Sequence, residues 1–351
     1  LTAQPSEPAR RWRSSTLSAS SAAGAAAPAR PVSSDRLTAI HPLLFAAYPV
    51  LFLWSQNLGE ADPVDVALPL VVLVAGAAVL TWVLGKVLGD IRRGALIVTP
   101  LAVGLMMYGH VASYVSDFGV PALVQQVGWA ALVLLACVAA VRLDIGRIAQ
   151  IDRFLTRLAA VLIIVTLVLI VPFQTQALAS RGTSQAFPTR GTETSAPKRD
   201  VYWLVFDRYG SDRSLDMLYG IQNDLTSWLR EQGFTVLDDS HANYVRTALS
   251  VMTTLNMTHL TDIEGLPGPD SSDLQPVYDL TQDSLVARQF KELGYRYYHI
   301  GSWWAGTRED RGADVSMNVG GFSDFTDALL DESALPAILR RLGFGTSVVD
   351  R

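Results

Sequence analysis

Asp207 is the first residue whose position suggests chemistry. It follows Val201–Phe206 (VYWLVF), a short continuous apolar run of the kind a buried parallel strand carries. A carboxylate at the mouth of a parallel sheet can ligate a hard or borderline metal. It can equally cap the helix that follows, or pair with Arg208 or Arg213. Further on, Thr247 opens a helical pattern within His241–Leu255 (HANYVRTALSVMTTL). A threonine there can be a plain N-cap. Its hydroxyl also stands beside the free N–H groups of a helix start, where a phosphoryl or sulfuryl group docks. A bound metal that stabilises the alkoxide would make it a nucleophile.

Other side chains near these two have competing readings. Arg208 and Arg246 adjoin the candidates and have the chemistry to hold an anion, although arginine is more often a surface residue. His241, six residues before Thr247, is either a structural histidine or a ligand. Ser302 and Thr307 follow a second apolar run, Tyr295–Ile300, and Trp303 and Trp304 either line a pocket there or belong to the core.

The elements that must position these residues read as alternating strands and helices. Strands are expected over Val201–Phe206, Phe234–Leu237 and Tyr295–Ile300. Helices are expected over Ser211–Leu218, Asn223–Gln232, Thr247–Leu255, Leu285–Leu293, Phe325–Leu330 and Ala334–Leu342, with Gly233 and Gly294 as stops. This alternation predicts an α/β domain with a mainly parallel sheet over residues 200–351.

The rest of the chain is different in kind. Half of the 351 residues are hydrophobic, only 17% are charged, and the mean hydropathy is +0.26. Residues 37–174 account for this, with five apolar windows at Leu37–Trp54, Val66–Leu84, Ala95–Tyr114, Leu123–Val141 and Leu158–Phe173. We read them as a five-helix transmembrane block. It is preceded by a disordered tail over 1–36 and followed by a flexible linker over 175–199, small, polar and proline-containing. The net charge of −5 and the scarcity of charge argue against nucleic acid as a partner, and the single Cys137 rules out an intrachain disulfide.

Charge orients the block. The tail carries five arginines, the first loop only Glu60, Asp62 and Asp65, the second Lys86, Arg92 and Arg93, the third no base, and the fourth Arg142, Arg147, Arg153 and Arg157. Alternation of this kind places the tail in the cytoplasm and, after five crossings, the C-terminal domain outside. No pair of carboxylates or bases within a span marks an ion path, which argues against a pump or a proton-coupled transporter. His110, near the outer end of the third window, reads as hydrated or paired more readily than as functional.

The stretch DVYWLVFDRYGSDRSLDMLYGIQNDLTSWLREQGFTVLDDSHANYVRTALSVMTTLNM resembles the sulfatase-like branch of the alkaline phosphatase superfamily. It is similar to the bacterial membrane-anchored members related to lipoteichoic acid synthase and phosphoethanolamine transferases. In them a strand ends in an acidic metal ligand, and Asn-Tyr, two residues and Thr precede a helix. Asp207 matches the ligand, and Thr247 in Asn243–Thr247 matches the nucleophile. The segment HIGSWWAGTREDRGADV looks like another part of this branch, and the membrane block matches it in layout.

The resemblance implies a sulfatase-like hydrolase or phospho-group transferase in the bacterial cytoplasmic membrane. A divalent metal, zinc or manganese, would bind Asp207 and the Thr247 oxygen. Thr247 would form a covalent ester with a phosphorus or sulfur centre of an envelope lipid or glycan, and water or another acceptor would resolve it. One departure stands out. Relatives complete the metal site with an Asp-His pair and another histidine further along, whereas here no histidine follows His299 and the chain stops at Arg351. The expectation is a larger enzyme, C-terminally truncated and inactive in this form. The rival expectation is a non-catalytic, membrane-tethered binding or assembly protein with a degenerate domain.

Overall fold

The structure, a computed structural model, describes residues 38–180, 187–189, 197–207, 209–263, 271–318 and 321–343. The expected tail over 1–36, much of the expected linker, and Arg208 lie outside these residues.

Six helices form the first part: α1 His41–Gln56, α2 Pro63–Leu88, α3 Ile91–Met106, α4 Tyr108–Ser116, α5 Ala122–Arg142 and α6 Ile145–Ser180. Their starts have local causes. The Asp62 carboxylate caps α2 by accepting from Val64 N (2.9 Å), and Asp90 caps α3 by accepting from Arg92 N (2.9 Å). Gly89, at φ +71°, ends α2 in the left-handed conformation that favours glycine.

Among the described residues three helices, α2, α5 and α6, are long and apolar enough to cross a membrane. The α3–α4 pair, bent by 49° at its break, would make a fourth as one broken span. Of the five expected windows, the first is the one outside this set. Helix α1 has 16 residues, about 24 Å at ~1.5 Å per residue, short of a hydrocarbon core of about 30 Å. It nevertheless packs against α2, α3 and α6. Small residues make the close approaches, as where Ala46, Ala77 and Val98 meet, while Val71, Trp82, Leu135 and Val168 face outward.

At the arginine-rich end of this bundle the structure assembles a polar cluster that periodicity does not reveal. His41 and Asp152 are both buried there. His41 Nδ1 lies 2.6 Å from Thr99 Oγ1, and its Nε2 lies 3.4 Å from Asp152 Oδ1. The same carboxylate accepts from Ala39 N (2.9 Å) and faces Arg92 (3.8 Å). One side chain of α6 thus ties down the start of α1 and faces α3.

The second part comprises α7 Asp212–Tyr219, α8 Leu225–Glu231, α9 Thr247–Leu255, a 3₁₀ turn at Leu260–Asp262, α10 Gln275–Gln282, α11 Leu285–Glu292, β1 Tyr298–Gly301, β2 Val315–Asn318, α12 Asp324–Asp331 and α13 Leu335–Arg341. Strands β1 and β2 are parallel, with Tyr298 opposite Val315 and Gly301 opposite Asn318. The expected helices form close to their expected bounds, and Gly233 and Gly294 sit at φ +87° and +80° just past α8 and α11.

The sheet is a correction. Among the described residues it has two strands, and the chain is mostly helical rather than built on an extensive parallel sheet. Val201–Phe206 and Phe234–Leu237 are not strands, and every side chain of Val201–Phe206 is exposed. An apolar β-prone run specifies a strand only where neighbours supply its ladder and cover its faces. The core of this part lies where Ala248 and Met252 of α9 meet Leu274, Val277, Tyr278 and Leu280, with Trp304 packed against them. Buried Asn256 fastens the far end of α9. It donates to Leu280 O (3.0 Å) and accepts from Leu285 N (2.9 Å).

The two parts meet at named contacts. Phe325 and Leu329 of α12 pack with Val50 of α1, Ala61 of the loop that follows and Val66 of α2. Both carboxylate oxygens of Asp65 accept from Arg308 (2.9 and 3.0 Å). Leu274 N donates to Gly59 O (2.9 Å).

Candidate functional site

Thr247 is the first residue of α9, and Arg246 rather than Thr247 occupies the N-cap position. The Arg246 side chain makes no cap hydrogen bond, and Thr247 lies within the helix, so the plain capping reading of Thr247 does not hold. The hydroxyl turns instead to the carboxylate: Thr247 Oγ1 donates to Asp207 Oδ1 across 3.2 Å. Ala248 and Met252, both buried, anchor α9 from the side facing α10. Tyr244 braces the approach to the helix, its hydroxyl accepting from Leu260 N (3.0 Å). The two candidate residues are therefore juxtaposed although Asp207 does not end a strand.

Both are exposed. The bond is longer than the about 2.7–2.8 Å usual between oxygens. Chemically the pair is a hydroxyl donating to a carboxylate acceptor beside the backbone N–H groups of a helix start.

Asp207 and Thr247 offer two oxygen donors, short of the three protein ligands that a catalytic zinc usually takes. Among the described residues no group of three or more His, Cys, Asp or Glu side chains is placed to hold a metal. The described residues thus do not make the metal site that the resemblance implies.

The remaining candidates are not drawn into this pair. His241 is exposed. Ser302 and Thr307 engage each other, Oγ to Oγ1 at 2.8 Å. Trp304 meets Tyr278 edge to face at 5.4 Å and belongs to the core, whereas Trp303 is 43% exposed. His110 is paired, its Nδ1 3.0 Å from Glu332 Oε2.

Two acidic sites escape a reading based on sequence spacing. Asp310 is buried, accepts from Tyr297 Oη (3.1 Å) and Gly312 N (2.8 Å), and has its carboxyl pushed up by burial. It adjoins a cavity of about 390 Å³ lined by Arg308–Arg311, Ser316 and Asn318. Arg308 is paired with Asp65 and Arg311 with Asp279, so neither is left over for an anionic ester. Asp324, at the junction of the two parts, is pushed up to about 6, first by burial and then by Asp327, with Arg308 opposing. Only the tertiary contacts create these environments, and no motif marks them.

No family model, curated protein or solved structure matches the chain.

Proposed function

We propose that this chain is part of a membrane-bound, sulfatase-like hydrolase or phospho-group transferase that acts on phospho- or sulfo-esters of envelope lipids or glycans. The observation that carries the reading is the 3.2 Å contact between Thr247 Oγ1 and Asp207 Oδ1. Thr247 matches the nucleophile and Asp207 the metal ligand of the branch the sequence resembles, and they lie side by side. In this reading Thr247 is the nucleophile and Asp207 orients its hydroxyl. A divalent metal, zinc or manganese, is the proposed cofactor, with Asp207 and Thr247 as two of its ligands.

The proposed site of action is the outer face of a bacterial cytoplasmic membrane, with the N-terminus in the cytoplasm; this orientation counts the short α1 and the bent α3–α4 pair as crossings beside α2, α5 and α6, five in all. Alternation of basic charge between the loops supports this orientation. So does the docking of α12 and Arg308 against the Glu60–Val66 region, the loop and helix start that lack Lys and Arg.

The test is a Thr247→Ala variant of the full-length protein. Ester cleavage and covalent trapping of a phospho- or sulfo-ester probe should both disappear, and survival of both would sink the nucleophile assignment. A non-catalytic binding protein is the second reading, favoured by the short donor set. An envelope lipid or glycan ester that binds but is never cleaved would establish it.

A further inference from the structure

The break between α3 and α4 has an unusual hydrogen-bond arrangement. In an unbroken helix the Gly109 N–H would donate to the Leu105 carbonyl, four residues earlier. Here Gly109 N donates to Glu332 O (2.8 Å), and Leu105 O accepts from Ala334 N (2.7 Å). The turn between α12 and α13 has entered the helix and taken both partners of the missing bond. The result is a 49° bend with neither group orphaned. Glycine is needed at this contact: a Cβ on Gly109 would lie 2.6 Å from Glu332 Cα and 2.7 Å from its carbonyl oxygen. His110 reinforces the docking through Glu332.

We propose that this break is a two-state joint coupling the membrane bundle to the domain. With the Glu332–Ala334 turn inserted, the helix is bent and the domain is held. With the turn withdrawn, Gly109 N–H re-pairs with Leu105 and α3–α4 straightens into one helix. The exchange replaces the two bonds to the turn with one bond within the helix, and the two groups left unmet, Glu332 O and Ala334 N, lie on the turn, where water can reach them. Length favours both states being accessible. Helix α3 alone has 16 residues, whereas Ile91–Ser116 as one helix would be about 39 Å long, ample for a core of about 30 Å. The inference does not depend on the proposed ester chemistry.

Amide hydrogen exchange on the full chain in lipid, resolved at residues 105–111 and 332–335, tests it. Gly109→Ala obstructs insertion and raises helix propensity, so the Ala334 amide should exchange at least about fivefold faster while the amide at 109 stays protected. Ala334→Pro, tolerated by the local φ of −74°, removes the N–H given to Leu105 and should likewise leave the Gly109 amide protected. Faster exchange at 109 in either variant would mean a loosened bundle and would overturn the proposal. Unchanged exchange at Ala334 in Gly109→Ala would mean a static joint and would overturn it equally.

Discussion

Thr247 Oγ1 and Asp207 Oδ1 stand 3.2 Å apart, although 40 residues separate them in sequence. The contact rests on two different kinds of support. Thr247 is carried by a helix packed into a core through Ala248 and Met252. Asp207 is carried by an irregular, exposed segment. Asp207 is therefore the partner with the weaker positional restraint, and its substitution should affect placement more than folding.

On the proposed ester chemistry, Asp207→Ala should reduce turnover by two or more orders of magnitude, as loss of a group acting together with a nucleophile does. It should also lower the divalent metal content of the purified full-length protein. Metal content unchanged from the parent would count against Asp207 as a ligand, and turnover within a few fold of the parent would remove it from the site altogether.

Asp324 predicts a pH dependence. Its folded carboxyl is raised to about 6 from an ordinary 3.8, with burial the main cause. The folded state therefore binds the proton more tightly than the unfolded state, and the ionised carboxylate costs stability at neutral pH. That cost should be relieved as the pH falls from about 7 to about 4. Asp324→Asn should stabilise the protein at pH 7 by about 1–2 kcal/mol, less than the full shift implies because the residue is partly solvated, and should flatten the pH profile. Thermal unfolding in detergent at pH 5 and pH 7 checks this, and a parent that is less stable at pH 5 than Asp324→Asn by the same margin as at pH 7 contradicts it.

Asp152 should be among the most sensitive positions of the bundle. Its buried carboxylate meets Ala39 N and His41 and faces Arg92. Asp152→Ala should cost about 3–5 kcal/mol, since it strands buried polar partners. Asp152→Asn keeps an acceptor and should cost less. Equal losses in thermal stability for the two variants would show that packing, not hydrogen bonding, sets the sensitivity.

Phe325 is the aromatic anchor of the junction, buried with Val50, Ala61, Val66 and Leu329. Phe325→Ala should cost about 3–5 kcal/mol locally through the lost burial and the cavity left behind. The effect should appear as faster proteolysis within α12 and α13 while the bundle helices stay resistant. Uniform sensitisation of the whole chain would mean that the two parts unfold together.

Local features were legible in the sequence because their causes are local. Gly233 and Gly294 stop helices since only glycine takes positive φ without strain, and α9 begins at Thr247 where the apolar helical spacing begins. The apolar windows of α2, α5 and α6 are equally legible, because length and hydropathy alone decide whether a helix can cross a bilayer. Val201–Phe206 marks the limit: its composition asks for a strand, but a strand exists only when another backbone completes its hydrogen bonds.

What the tertiary structure decided are the pairings. His41 meets Asp152 from helices distant in sequence, Asp65 meets Arg308 across the junction, and the turn before Ala334 enters the helix at Gly109. Spacing carries no signal for such contacts, because the partners share no helix face or strand register. They arise only when packing brings separate elements within hydrogen-bonding distance, and the same packing turned Thr247 away from capping its own helix and toward Asp207.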